Sequence, residues 1–114
     1  MATNYIKSYN NLDYEIETNG EIHILDCLTR VDIRTVFDVG ANEGVYTRAC
    51  ISRFKNAEIH AFEIAPATYE KLARNLALAR GKLNNFGLSA LKTVGKLLYH
   101  SSRPELTRQG ILLP

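Results

Sequence analysis

The sequence predicts an α/β fold: a parallel sheet with helices on both faces, cut short after a third core strand and a hairpin. Two short, largely apolar runs, TVFDV at 35–39 and EIHAFE at 58–63, read as strands. Each is followed by a segment whose apolar residues recur at helical spacing. Strand, helix, strand steps of this length join parallel neighbours through right-handed crossovers. With 114 residues there is room for one modest core, so 1–114 is expected to be a single, partial domain with an irregular tail over about 101–114.

In chain order, Asp13 to Thr18 (DYEIET) alternates charged and apolar residues, the pattern of a short half-buried strand. Thr18 and Glu21 have capping-box spacing, and Ile22, Leu25 and Leu28 then predict a helix to about Leu28. TVFDV, ending at Gly40, is expected to be buried on both faces. Tyr46, Cys50 and Phe54 mark the next helix, stopped by Asn56 and Ala57. After the second strand Pro66 suits the first turn of a helix, whose stripe is Tyr69, Leu72, Ala73 and Leu76 and whose stop is Gly81. The third strand is expected near Leu83 to Phe86, and Lys96 to His100 as a returning hairpin strand. SSRPELTRQGILLP has no sustained periodicity, and the chain has no internal repeat.

Composition narrows the function classes. With 46% hydrophobic and 23% charged residues the chain is expected to fold. No run approaches the length of a membrane helix and the N-terminus lacks a signal-peptide pattern, so the expected location is the cytoplasm, with no membrane partner. Cys27 and Cys50 suggest two buried free thiols rather than a disulfide or metal framework, and no metal site is predicted. A net charge of +2 is too small to argue for nucleic acid. The basic residues nevertheless concentrate late: Arg80, Lys82, Lys92, Lys96, Arg103 and Arg108 face only Glu105 after position 79. They are read as a solvated basic tail. His23, His60 and His100 stand in different elements, and none is assigned a catalytic role.

The residues that carry chemistry are VFDVGANEG at 36–44 and AFE at 61–63, each at the carboxyl end of an expected strand, where open parallel sheets bind ligands. Gly40 and Gly44 let the backbone approach a ligand, and the helix N–H groups that follow favour an anionic group. Glu63, 23 residues after Gly40, is placed to accept hydrogen bonds from both ribose hydroxyls of a nucleoside. Asp38 directs an acid at the same turn, where it attracts an ammonium group. A dinucleotide fingerprint starting at Gly40 would need glycine at 42 and 45, where Asn42 and Val45 stand, and no phosphate-binding P-loop spacing occurs. S-adenosylmethionine fits a glycine turn with two acids best. Tyr46 is expected to pack in the core, near enough to the turn to border the cofactor, and flanking of its adenine is the lesser of two readings of Asn84, Asn85 and Gly87. Tyr69 and Phe62 are expected to pack in the core.

FDVGANEG, AFEIAPATYEKLARNLAL and NNFGLS together resemble the opening half of the FkbM-type methyltransferases, over roughly residues 20–100. The resemblance implies a Rossmann-like domain that transfers a methyl group from S-adenosyl-L-methionine to a hydroxyl of a sugar or other natural product. Asp38, Gly40, Asn42 and Gly44 match the family's cofactor turn, and Glu63 its ribose-binding acid. Glu43 departs from it, standing where such proteins usually place an apolar residue. A fourth-strand segment of the form lysine, apolar, aspartate, apolar, glutamate, glycine does not occur before Pro114, so the acceptor-binding half and the catalytic base are expected to be missing. The expected partners are a small-molecule or glycan acceptor and a second chain paired through the open edge of the first strand. The alternative function is a non-catalytic remnant that binds cofactor or a protein partner.

Overall fold

A computed structural model of the chain describes residues 13–97. Its elements run α1 (Glu21–Leu28), β1 (Thr35–Val39), α2 (Val45–Arg53), β2 (Glu58–Phe62), α3 (Pro66–Asn75) and β3 (Lys82–Asn84). The three strands form one parallel sheet in the order β1-β2-β3. Asp38 lies opposite Ala61 and Ala61 opposite Leu83, while Val39 lies opposite Phe62 and Phe62 opposite Asn84. That register brings the carboxyl ends of all three strands to one edge.

Helix α1 ends at Leu28 and β1 spans TVFDV, as the apolar spacing predicts. Pro66 occupies the first turn of α3, where its missing N–H has no helical partner to lose. The core has two parts. Leu25, Cys50, Phe54, Ala57 and Ile59 join α1 and α2 to the sheet, and Ala41, Ala61, Leu72 and Leu76 join α3 to it. Val36, Ile59, Ala61 and Leu83 point to this same side, so the three described helices cover one face.

The other face carries an aromatic row. Phe37 meets His60 and Phe62 edge-on at centroid distances of 5.3 and 5.8 Å, and Phe62 meets Phe86 at 5.6 Å. These rings bury Phe62, but Phe37 is 62% and Val39 59% exposed. Double-sided burial of β1 is therefore met on the helix side only, because no described helix lies over Phe37 and Val39.

Four further expectations are corrected. Asp13–Thr18 is a turn, since the Asp13 carboxylate accepts the Glu15 N–H and the Thr18 hydroxyl and the chain folds back on itself. The capping box is absent for the same reason: Gly20, at φ +97°, is the residue before α1, and Asn19 Oδ1 accepts the Glu21 N–H. Helix α3 stops at Asn75 with Leu76 as its cap, five residues before Gly81. Cys27 is exposed on α1 whereas Cys50 is buried; burial pushes the Cys50 thiol up to about 11, so it stays neutral.

Arg80 is no tail residue: its guanidinium donates to the carbonyls of Ala57, Phe54 and Ile51, closing the C-terminal end of α2. The expected hairpin strand Lys96–His100 falls largely outside the described residues, as does the tail 101–114. No described helix is long and apolar enough to cross a membrane.

Candidate binding site at the carboxyl edge of the sheet

The turn after β1 is held by β2. The Phe62 carbonyl accepts the N–H groups of both Gly40 and Ala41, at 2.8 and 2.9 Å, and Glu63 Oε2 accepts that of Asn42 at 3.0 Å. Asn42 is left-handed at φ +52°. Gly44, at φ +96°, precedes α2, and a Cβ there would stand 2.9 Å from Leu72 Cδ1. A side chain at Gly40, at φ +79°, would meet nothing within 4 Å. Gly44 is thus required by the packing of α3, while Gly40 faces open space.

Asp38 is 8% exposed on the helix side of β1. Its Oδ2 accepts the Thr47 hydroxyl at 2.5 Å, and Oδ1 has no hydrogen-bond partner among the described residues. Burial raises its pKa above the usual carboxylate range; the Thr47 bond opposes this, and the charges of Glu21 and Glu63 add to it. The folded state therefore holds the Asp38 proton more tightly than the unfolded chain. This contribution to stability is present in acid and is lost as pH rises through the folded pKa. Asn can still accept the Thr47 hydroxyl without the desolvated charge. Asp38→Asn is expected to raise the midpoint of thermal unfolding at about pH 7 and to leave it nearly unchanged at about pH 3; a lower midpoint at neutral pH would contradict this account.

Glu63 is also 8% exposed and sits just past β2. Its two oxygens clamp two loops, Oε2 on the Asn42 N–H and Oε1 on the Ala65 N–H at 2.9 Å. Each oxygen keeps a lone pair for a further donor. Sequence reasoning found the residue but not the clamp, which has no signature in residue spacing. Asn84 Nδ2 donates to the Ala61 carbonyl and Asn85 Nδ2 to that of Glu63, so both amides tie β3 to the end of β2.

A cavity of about 730 Å³ opens over the turn, lined by Asp38, Gly40, Ala41, Asn42, Glu43, Val45 and Tyr46. Volumes of this order suit small ligands. The remaining wall is Tyr14, Glu15, Ile16 and Glu17, read from sequence as part of a strand, and Glu21, read as the helix start, none of them with a site role. No motif marks these residues; the turn at Asp13–Thr18 brings them over the site. Glu43 pairs with Lys71 at 3.5 Å, and its carbonyl accepts from Asn75 Nδ2, which fixes the turn to α3. The turn and Asp38 border the cavity, and Glu63 holds the turn through the Asn42 N–H.

The chain is similar to known proteins in fold and, over a short stretch, in sequence. A solved structure of mycolic acid cyclopropane synthase, in its apo form, superposes with a TM-score of 0.50 at 13% identity, covering 80% of this chain and 39% of that one. The chain has a Rossmann-like fold, a parallel sheet with helices. An rRNA methylase structure from Clostridium thermocellum gives a TM-score of 0.48 at 19% identity over 57% of this chain and 39% of that one. In sequence, 45 residues are 42% identical to a malonyl-[acyl-carrier protein] O-methyltransferase of Halorhodospira halophila (strain DSM 244 / SL1). That match covers 40% of this chain and only 15% of the relative. No protein-family model matches.

Proposed function

We propose that this chain is the cofactor-binding portion of an S-adenosylmethionine-dependent O-methyltransferase of FkbM type, acting on a hydroxyl of a sugar or secondary metabolite. The observation that carries this reading is the meeting, at one sheet edge, of the Gly40–Gly44 turn, an Asp38 oxygen without a partner and a cavity of about 730 Å³. S-adenosylmethionine supplies a methyl group already activated as a sulfonium. Asp38 Oδ1 would receive the ammonium group, and the N–H groups of Val45 to Thr47, which lack carbonyl partners one turn back, would receive the carboxylate. Gly40 and Asn42 would lie against the ligand, and Glu63, beside its clamp on Asn42, would accept from the ribose hydroxyls. Methyl transfer also needs an acceptor oxygen in line with the sulfonium and a base for its proton. Among the described residues no base is assigned.

Calorimetric titration of the purified chain tests this, with NAD as the control and circular dichroism to confirm folding. Saturable binding of S-adenosylmethionine and none of NAD is expected. A folded protein that binds neither would instead support a remnant pairing with another chain, the reading favoured by the exposed Phe37 and Val39 on the outer strand β1.

A further inference from the structure

Thr47 is fully buried in the first turn of α2. A helical threonine commonly turns its hydroxyl back onto the carbonyl three or four residues earlier. Here the hydroxyl crosses to β1 instead and donates to Asp38 Oδ2 at 2.5 Å, the one side-chain hydrogen bond that this carboxylate accepts among the described residues. The carbonyl four residues back, that of Glu43, accepts from Asn75 Nδ2. Among the described residues no fully buried side-chain oxygen lacks a partner. Oδ1, which has none, is therefore open to solvent, and Asp38 lines the cavity over the turn. One oxygen is anchored from the core and the other is left free to accept.

The last torsion of an aspartate is broad, so an unheld carboxylate turns with little hindrance. The Thr47 bond removes this freedom and stabilises the charged form of a group that burial destabilises. We infer that Thr47 is a positioning residue of this site: its hydroxyl fixes the Asp38 carboxylate so that Oδ1 is presented to the ammonium group of the bound ligand. The inference rests on the cofactor reading above and assigns Thr47 a task beyond filling the core. The titratable groups that face Asp38 are Glu21 from α1, Glu63 past β2, and Tyr46 and Cys50 from α2. Burial pushes the tyrosine and the thiol up, so both stay neutral at and below neutral pH, while the two glutamates oppose a charge on Asp38. None of the four is cationic, so none shares the work of Thr47.

The test is calorimetry of the full chain with S-adenosylmethionine and with adenosine, which lacks the amino-acid end, between about pH 5 and about pH 7, where the ligand's ammonium stays charged. Thr47→Val removes the hydroxyl at nearly constant shape, Thr47→Ala removes it together with the methyl, and Thr47→Ser keeps it; circular dichroism verifies folding. The Val and Ala variants are expected to bind S-adenosylmethionine about tenfold more weakly at about pH 7, with adenosine binding unchanged. Pairing with the ammonium needs the ionised carboxylate, so affinity falls as pH drops through the Asp38 pKa of the free protein. Losing the Thr47 bond raises that pKa further, and the fall should begin at a higher pH than in the wild type. Thr47→Ser should restore both the affinity and the profile. Unchanged S-adenosylmethionine affinity and pH profile in a folded Val or Ala variant, an equal loss for adenosine, or a Ser variant as weak as Val overturns the inference and leaves the cofactor reading intact. Failure of the folded wild type to bind either ligand overturns the cofactor reading, and the inference with it.

Discussion

Glu63→Ala is expected to destabilise the chain by about 3 to 5 kcal/mol, because two backbone N–H groups lose a charged acceptor at once. Asn42 and Ala65 both donate to this carboxylate, and the Ala65 bond is buried. No side chain stands ready to replace it, since the neighbouring amide of Asn85 is itself a donor, to the Glu63 carbonyl. Against a domain stability of roughly 5 to 15 kcal/mol such a loss is severe. Urea unfolding would measure it. Glu63→Gln keeps one acceptor oxygen and is expected to lose about 1 to 2 kcal/mol, so it remains folded for a binding experiment. If the carboxylate also receives the ribose hydroxyls, its affinity for S-adenosylmethionine should fall roughly tenfold to a hundredfold. Unchanged affinity in the folded Gln variant would confine Glu63 to holding the turn, and unchanged stability in the Ala variant would remove the clamp.

Gly44→Ala should be nearly as damaging, at about 2 to 4 kcal/mol. Two costs combine there. A φ of +96° strains any residue with a Cβ, and that Cβ would lie 2.9 Å from Leu72 Cδ1 and 3.2 Å from Leu76 Cδ1. Both leucines are buried in the core under α3, so neither can move aside without losing contacts elsewhere. Gly40→Ala supplies the comparison: it has positive φ too, but open space around the new methyl, and it should cost only about 1 to 2 kcal/mol. Equal urea midpoints for the two variants would mean that α3 does not approach the turn as closely as the structure shows.

How far the sequence reveals this molecule depends on the range of the interaction that sets each part. The strands at TVFDV and EIHAF and the helices after Gly44 and at Pro66 follow from local apolar spacing, and the structure has them at those places. Gly40, Asn42 and Gly44 are legible as a turn because their backbone angles demand it. Asp13–Thr18 defeats the same logic: its alternation suits a strand, but a local carboxylate bond to Thr18 wins. Glu15, Glu17 and Glu21 therefore reach the site by a fold-back that no spacing announces. The hold of Glu63 on Asn42 and that of Arg80 on the end of α2 join residues more than 20 positions apart. Such pairings are decided by how the strands and helices are stacked.

The backbone bonds from Gly40, Ala41 and Asn42 to Phe62 and Glu63 set a kinetic property as well as a shape. Two successive amides of the loop are tied to β2 and a third to the Glu63 carboxylate just past it, so their protons should exchange with solvent on the slow scale of the sheet rather than the fast scale of a surface turn. A ligand arriving there meets a surface already ordered and gives up little chain entropy on binding.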